Sequence, residues 1–223
     1  MTMPSGRFVS LPPPYSARQA FIPDDLPPGV EYTPRLSALV ARAEWALGGL
    51  ASITDFIPNP ELLVMPFQRT EAILSVRIEG TQTSADEVYR SEAISASPRD
   101  EAAEEVIAYI AALEQGLEHL RQPGSAWDLG MVRDLHRALL EKGRGRDLSP
   151  GRFREVTVWL GAGGRPIDYA AYVPPPWQEV EALMQRWGEY VRACLSGEVA
   201  VTAPPLLQCA AMHAQFEMIH PFR

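Results

Sequence analysis

Three side chains with acid–base or metal-binding chemistry lie at helical spacing near the end of the sequence. His213, Glu217 and His220 are separated by four and three positions, so a helix over this segment places them near one face. A di-metal bundle site could use Glu217 and His220, but it needs a second Glu-x-x-His, which the sequence lacks. The plainer interpretation of His213 is a histidine satisfied by hydrogen bonds in a buried helix, and His119 and His136 suggest no function.

His220 differs from the other histidines because Pro221 follows it. Proline has no N–H for the helix and restricts the residue before it, so the helix must end at this point. The imidazole then lies at a helix–loop junction. Because its unperturbed pKa lies near cellular pH, His220 is a general-base candidate, and Phe222 can anchor the start of the loop in the core.

The composition limits the kind of protein that the sequence can form. Its 223 residues are 46% hydrophobic, which is enough for one helical domain or two small ones that share a core. The formal charge of -8 argues against binding of nucleic acid or anionic lipid by this region. Cys194 and Cys209 are too few for a disulfide framework and suggest packing thiols in a reducing cytosol. No apolar run approaches the roughly 20 residues of a membrane span, so we expect a soluble, cytoplasmic protein.

The elements that position these residues are predicted to be mainly α. We expect a Pro-rich arm at 1–34, draped or disordered, an N-terminal helical region at 35–97 and a core domain at 98–223. One helix is predicted at about 66–78, stopped by Gly80, and the next begins with a capping box formed by Ser84 and Glu87. A long helix is predicted to start at Ser97-Pro98 and to bury a stripe of Val106, Ile110, Leu113, Leu117 and Leu120.

Only one segment has a clear β pattern. Residues 153–160 and 167–173 are rich in β-branched and aromatic side chains, and the glycines at 161–164 supply a turn, so a small hairpin is predicted. A further helix should follow Pro176 and end near Gly197. The last helix, at about 205–219, is apolar around most of its circumference and is predicted to be central and buried. The inward residues of the helix before it are Val180, Leu183, Met184, Trp187, Val191 and Cys194.

Four segments resemble the Fic family, in the order in which that family has them. Residues 220–223 (His-Pro-Phe-Arg) resemble the opening of the Fic motif, His-Pro-Phe-x-(Asp/Glu)-Gly-Asn-Gly-(Arg/Lys)-x-x-Arg. Residues 75–80 match the family's inhibitory motif, (Ser/Thr)-x-x-x-Glu-(Gly/Asn). Residues 150–161, with Pro-Gly-Arg-Phe-Arg and Trp-Leu-Gly, resemble the approach to the family's flap, and 172–176 resemble its exit. The resemblance implies a Fic-type helical bundle with a small β-hairpin flap and an N-terminal helical extension.

The resemblance also implies a protein adenylyltransferase. His220 would accept the proton of a Ser, Thr or Tyr hydroxyl on a target protein, and that hydroxyl would attack the α-phosphorus of ATP and release pyrophosphate. Pro221 and Phe222 would anchor the motif.

Two other groups of residues receive roles from the same resemblance. Ser75, Glu79 and Gly80 would form an autoinhibitory segment, in which Glu79 points at the last arginine of the motif and displaces the ATP γ-phosphate. In the full protein, Glu79→Gly should therefore raise activity. The flap that docks the target would include Trp159, Gly161, Tyr172 and Val173.

The sequence stops at Arg223, the variable position of the motif. The acidic residue that binds Mg²⁺ in the family, the Gly-Asn-Gly anion nest and the motif arginines all come after this position. We therefore expect a sequence truncated inside the motif, with negligible transferase activity, no tight binding of ATP or Mg²⁺ and no metal site of its own. For the intact protein we expect ATP, Mg²⁺ and a protein substrate, and a second copy of the chain is a candidate partner.

Two alternatives stay open beside a self-inhibited adenylyltransferase. The chain could belong to a catalytically retired regulatory or interaction module, or to an enzyme that transfers another phosphate-containing group. Which group such an enzyme would transfer depends on the loop after Arg223. The glycines at 161–164 do not indicate a phosphate loop, because no Lys-Ser/Thr follows them.

Overall fold

The computed structural model describes residues 5–27, 29–54, 56–78, 80, 82–93, 100–141, 145–161, 164–197 and 203–223. Within these ranges the fold is mainly α, as the sequence predicted. The elements in chain order are β1 (Gly6–Ser10), β2 (Gln19–Pro23), α1 (Pro34–Thr54), α2 (Glu61–Ile78), α3 (Ala85–Ala93), α4 (Glu101–Arg121), α5 (Leu129–Leu140), a 3-10 helix (Ile167–Tyr169), α6 (Trp177–Ser196) and α7 (Pro205–Ile219).

The elements group into two compact units. The first unit combines Met1–Gly48 with Phe153–Arg223, and the second is Gly49–Arg152. His220 therefore lies in the first unit together with β1, β2, α6 and α7.

An antiparallel hairpin of β1 and β2 occupies the N-terminal arm of the first unit. Phe8 is opposite Phe21, and the two rings meet edge to face with centroids 5.3 Å apart. This paired hairpin was not among the elements predicted from the sequence. Its prolines at 12–14 lie in the connection between the strands, where no ladder hydrogen bond is needed, while the strands themselves carry β-favouring aromatic and branched side chains.

The predicted hairpin at 153–173 is reduced to a single bridge among its described residues. Leu160 and Tyr172 exchange backbone hydrogen bonds of 2.9 and 3.2 Å, and the 3-10 helix follows the turn. Ala162 and Gly163, in the predicted turn, lie outside the described residues. On its other edge the exit segment meets β2, because the Phe21 N–H donates to the Val173 carbonyl at 3.0 Å.

Helices α6 and α7 pack against each other, and β2 also contacts α7. The predicted inner face of α6 is buried, apart from Cys194, which is half-buried. The prediction that α7 is central and buried was wrong: Gln215 and Ile219 are its buried residues, and Cys209 is exposed. An almost uniformly apolar helix gives no signal for which side is covered, and here neighbouring elements cover only part of α7.

The second unit is built around α4. Its buried core joins α2, α3 and α4, and each fully buried Val or Ile side chain stabilises the fold by roughly 1.5–3 kcal/mol. Gly116 of α4 faces α5, since a Cβ at this position would lie 3.3 Å from a methyl of Leu135. The predicted stripe of α4 is buried only in part, because Leu120 is exposed. The core consists of Ala72, Ile73, Val76, Val88, Ala103, Val106 and Ile110.

Helix ends in the second unit follow the capping chemistry of the sequence. The predicted box is present: the Ser84 N–H donates to a Glu87 carboxylate oxygen at 2.8 Å, and the Glu87 N–H donates to the Ser84 hydroxyl at 3.3 Å. The Ser84 hydroxyl also donates to this carboxylate oxygen, at 2.9 Å, and this bond and then the one from the Ser84 N–H lower the pKa of Glu87. Gly80 has a φ of 92° and follows the end of α2. The side chain of Asp100 caps α4; Ser97 and Pro98, the predicted start, lie outside the described residues.

Helix α1 has no buried residue, although it is strongly apolar. Trp45 is 84% exposed, and the helix is long and apolar enough, with a mean hydropathy of 1.2, to cross a bilayer by length and composition alone. This segment was not expected from the sequence, because Arg42 and Glu44 interrupt its apolar residues, whereas a mean over 18 residues tolerates two charges.

Candidate active site

His220 lies at the C-terminal end of α7 in a left-handed backbone conformation. Its φ and ψ are 47° and 63°, and its N–H donates to the Phe216 carbonyl at 2.9 Å. Histidine is one of the residues with a side chain that enter this region more often than most. Because Pro221 cannot extend the helix, the chain turns here, and half-buried His220 stands at the junction between helix and loop.

The other polar residues of α7 have different surroundings. His213 and Glu217 are exposed, whereas Gln215 is buried and its side-chain nitrogen donates to the Asp24 carbonyl at 2.6 Å. Within the described residues, no group of three or more His, Cys, Asp and Glu side chains is placed to hold a metal ion.

Arg154 contacts the residues that end α7. Its Nε donates to the His220 carbonyl at 2.7 Å, and Nη2 donates to the Ile219 carbonyl at 3.2 Å. The backbone N–H of Arg154 donates to the Pro221 carbonyl at 2.8 Å. One residue therefore binds three consecutive carbonyls at a helix end whose last carbonyls have no partner inside the helix.

The guanidinium of Arg154 also binds two other chain segments. Nη1 donates to the Val156 carbonyl at 3.1 Å and Nη2 to the Pro175 carbonyl at 2.7 Å. The residue is only 3% exposed. Burial lowers the pKa of Arg154 to about 10, so the side chain is still a cation at neutral pH. Its charge is favourable at this place because a helix C-terminus carries partial negative charge.

Tyr172 supplies a further donor to the end of α7. Its hydroxyl donates to the Met218 carbonyl at 2.8 Å. Burial raises the pKa of Tyr172 to about 12, against the opposing effect of the Arg154 charge, so the phenol is a neutral donor at pH 7. Together, Arg154 and Tyr172 bind the four consecutive carbonyls of residues 218–221.

Phe222 joins an aromatic cluster after the turn. Its ring centroid lies 5.3 Å from that of Phe153 and 6.3 Å from that of Phe216. Phe216 in turn packs against Trp187 of α6, with centroids 5.2 Å apart. The segment that follows His220 is therefore held by side chains, and Pro221 is buried.

The flap residues predicted from the resemblance lie close to one another. The indole N–H of Trp159 donates to the Arg165 carbonyl at 2.9 Å. A Cβ at Gly161 would lie 3.2 Å from the Tyr169 carbonyl, so this position has little room for a side chain. Tyr172 and Val173 form the strand-like exit already described.

A cavity of about 530 Å³ opens beside this exit segment. Phe8, Phe21, Tyr172 and Met218 contribute apolar surface to it, and an ion pair of Arg18 and Asp168 also lines it. Its volume lies within the usual range for ligand pockets. The N-terminal hairpin thus forms part of the cavity wall.

The predicted inhibitory segment belongs to the second unit. The Ser75 hydroxyl donates to a Glu71 carboxylate oxygen at 3.0 Å, one turn earlier in α2. Gly80 is exposed. Glu79, the residue to which the resemblance gives the inhibitory role, lies outside the described residues.

Sequence reasoning missed Arg154 as part of the site. It appeared only within the segment that resembles the approach to the flap. The sequence does not distinguish a buried arginine from an exposed one. Its acceptors are backbone carbonyls, which every residue has, so no particular side chain indicates them. No local signal separates Arg154 from its neighbours, because Arg152 and Glu155 are charged as well and are exposed.

Comparison with known proteins identifies both parts of the chain. A model described as Fic/DOC family N-terminal matches residues 37–118, and a model described as Fic/DOC family matches residues 126–223. No curated protein matches the chain.

Solved structures with a similar fold include two bacterial proteins. A Fic family protein from Desulfovibrio desulfuricans G20 has a TM-score of 0.63 at 21% identity, over 86% of this chain and 54% of that one. A Fic domain containing signaling protein from Bacteroides thetaiotaomicron VPI-5482 has a TM-score of 0.60 at 17% identity, over 78% of this chain and 64% of that one. At these identities the likeness shows the fold, and the chain spans less than two thirds of either relative.

Proposed function

The chain belongs to the Fic/DOC family, and from this membership we propose that the full-length protein is a transferase that moves AMP from ATP to a hydroxyl of a target protein. The observation that carries the proposal is the geometry of His220. A histidine in a left-handed turn at the end of a helix, bound through its carbonyl by a buried cation, is held at a junction where it can meet a substrate. We expect the protein to act in the cytoplasm.

In the proposed reaction, His220 acts as the general base. Its imidazole accepts the proton of a Ser, Thr or Tyr hydroxyl while that oxygen forms a bond to the α-phosphorus of ATP. The bond between the α-phosphorus and the bridging oxygen breaks, and pyrophosphate leaves. An imidazole suits this step because its ordinary pKa lies near neutral pH.

The described residues do not themselves form a Mg²⁺ site, since they contain no cluster of acidic or histidine side chains placed to hold a metal. We therefore assign no step to the metal. ATP and Mg²⁺ are expected from family membership, and their binding is part of the proposal.

We place target docking at the exit segment and the adjoining cavity. The exit carries Tyr172 and Val173, and the cavity presents apolar surface from Phe8, Phe21 and Met218. Because Met218 precedes His220 by two residues on α7, a side chain seated in this cavity would belong to a target segment near the general base. Autoinhibition by Ser75, Glu79 and Gly80 completes the proposal.

The position of an isotopic label in ATP distinguishes AMP transfer from phosphoryl transfer. The full-length protein is incubated with ATP labelled at the α-phosphate, and in parallel at the γ-phosphate, and protein-bound label is measured. AMP transfer gives label from the α position only, whereas label from the γ position alone would indicate phosphoryl transfer.

Two histidine variants of α7 complete this experiment. His220→Ala should reduce labelling by about 10²–10⁴-fold, the usual contribution of a general base. His213→Ala is the matched control, because His213 is exposed on the same helix, and it should label like the wild type. A protein that transfers no label under any condition would support a retired interaction module and contradict the proposal.

A further inference from the structure

We propose that Arg154 is a positioning residue that holds the backbone of His220 in its left-handed turn and thereby fixes the direction of the imidazole. The catalytic part of this inference rests on the proposed function. The conformational part concerns the fold alone and can be tested without any transferase activity.

The left-handed conformation of His220 needs support from its surroundings. A residue with a Cβ is sterically disfavoured at a φ of 47°, and such a conformation persists where neighbouring contacts determine it. The contacts available are those to the carbonyls on both sides of the turn. Arg154 binds the carbonyl of Ile219 before His220, that of His220 itself and that of Pro221 after it.

The shape of the guanidinium explains why this residue is an arginine. Its planar fork donates in three directions at once, to the end of α7, to Val156 and to Pro175. A lysine has a single ammonium group on a flexible stem and cannot match this set of acceptors. Arg154→Lys therefore keeps the charge but loses the geometry.

Tyr172 acts on the same helix end through the Met218 carbonyl. The resemblance gave Tyr172 a role in target docking, and the two roles predict different kinetics. If Tyr172 supports the turn, Tyr172→Phe should lower kcat and leave KM for the target unchanged. If it docks the target, KM should rise instead.

The test compares Arg154→Lys with Arg186→Lys in the full-length protein. Arg186 of α6 is the matched control because it undergoes the same substitution, and its Nε donates to a carboxylate oxygen of exposed Asp25 at 2.7 Å and not to the end of α7. Each variant is studied at a temperature at which circular dichroism and thermal unfolding show it to be folded.

Two readouts are measured on each protein. The first is the Cα and Cβ chemical shifts of His220 in protein labelled with ¹³C,¹⁵N-histidine, which report its backbone conformation. The second is kcat and KM for AMP transfer. Arg154→Lys should move the His220 shifts away from left-handed values and lower kcat by about 10²-fold, the loss expected for a misplaced catalytic group. Arg186→Lys should change neither.

Three results would overturn the inference: unchanged His220 shifts in Arg154→Lys, an unchanged kcat in that variant, or equal losses in Arg186→Lys at matched stability. Should Arg154→Lys fail to fold, Arg154→Gln is measured by the same two readouts, because its side-chain amide keeps an N–H donor but not the guanidinium fork. A wild-type protein without transferase activity would contradict the proposed function, while the chemical shifts would still decide whether Arg154 fixes the turn.

Discussion

Arg154 is a buried cation whose hydrogen-bond acceptors are backbone carbonyls. Taking a charge out of water is costly, and here carbonyl dipoles from three chain segments offset that cost. Such an arrangement ties the charge to one conformation of the backbone, because each carbonyl must keep its place. For this reason, substitution of Arg154 should also change the backbone turn at His220.

His136 provides a test at the level of one titrating group. The Gly151 N–H donates to its Nδ1 at 3.0 Å, and burial lowers its pKa from 6.5 to about 4. The folded protein therefore holds neutral His136 while the unfolded chain takes up a proton below pH 6.5. The contribution of neutral His136 to the free energy of unfolding, which is fully present above pH 6.5, should decrease progressively as the pH falls toward 4.

Urea unfolding at pH 7.5, 6 and 5 measures this effect. His136→Asn keeps an acceptor for the Gly151 N–H without the titration, so its stability should depend less on pH than that of the wild type. The difference should be smaller than the roughly 1.4 kcal/mol per pH unit of one fully linked proton, because His136 is still partly solvated. His213→Asn, at an exposed site, should keep the wild-type slope; equal slopes in all three proteins would contradict the assignment to His136.

The sequence could place His220 at the end of a helix, but it could not show which residues contact this end. The following proline shows where the helix must end, and this is a local property. The contacts of Arg154 and Tyr172 join positions separated by 66 and 46 residues, and a single sequence carries no record of such distant neighbours. The docking role of Tyr172 was likewise based only on its place in the flap segment, and the bond from its hydroxyl to the Met218 carbonyl of α7 could not be predicted.

At the scale of elements, local signals were reliable where the chemistry is local. The capping box of Ser84 and Glu87 and the helix end at Gly80 are present as predicted. Strand pairing was placed in the wrong part of the chain. The high proline content of residues 1–34 concealed the strands there, and the β pattern of 153–173 yields one bridge. Strand pairing depends on a partner strand elsewhere in the chain, which the local composition does not specify.

The β1–β2 hairpin leads to a prediction about packing. A Cβ at Gly6 would lie 2.4 Å from the Phe21 ring and 2.4 Å from the Ile22 carbonyl oxygen, so Gly6→Ala must displace the ring or the strand. We expect a loss of about 1–3 kcal/mol in the free energy of unfolding, the usual cost of overpacking. Chemical denaturation monitored by tryptophan fluorescence measures it.

Gly29→Ala is the matched control for this change. A Cβ at Gly29 meets nothing within 4 Å, so the same substitution should alter the free energy of unfolding by no more than about 0.5 kcal/mol. If Gly6→Ala is as stable as Gly29→Ala, the packing of Phe21 against Gly6 is not as described. Because Phe21 also lines the cavity, a transferase that keeps its KM for the target in Gly6→Ala would argue against docking there.

At the scale of the whole molecule, the residues with proposed roles are divided between two units. His220, Arg154 and Tyr172 belong to the first unit, and Ser75 and Gly80 to the second. The family models also divide the chain in two, at 37–118 and 126–223. The order of the motifs along the sequence was enough to identify the family. This order can be read even where the limits of helices and domains are predicted wrongly.

Autoinhibition would make these two units functionally dependent on each other, and Glu79→Gly tests it. Removing a carboxylate that competes with a nucleotide phosphate should raise AMP transfer by the full-length protein about tenfold or more, which is the value of one charge-assisted hydrogen bond. Ile78→Gly is the control, because it places glycine at the same helix end, at an exposed position, without removing a charge. Equal rates of AMP transfer in the two variants would mean that loosening of the helix, and not loss of the carboxylate, raises activity. A Glu79→Gly/His220→Ala protein that still transfers label would show that the released activity does not use His220.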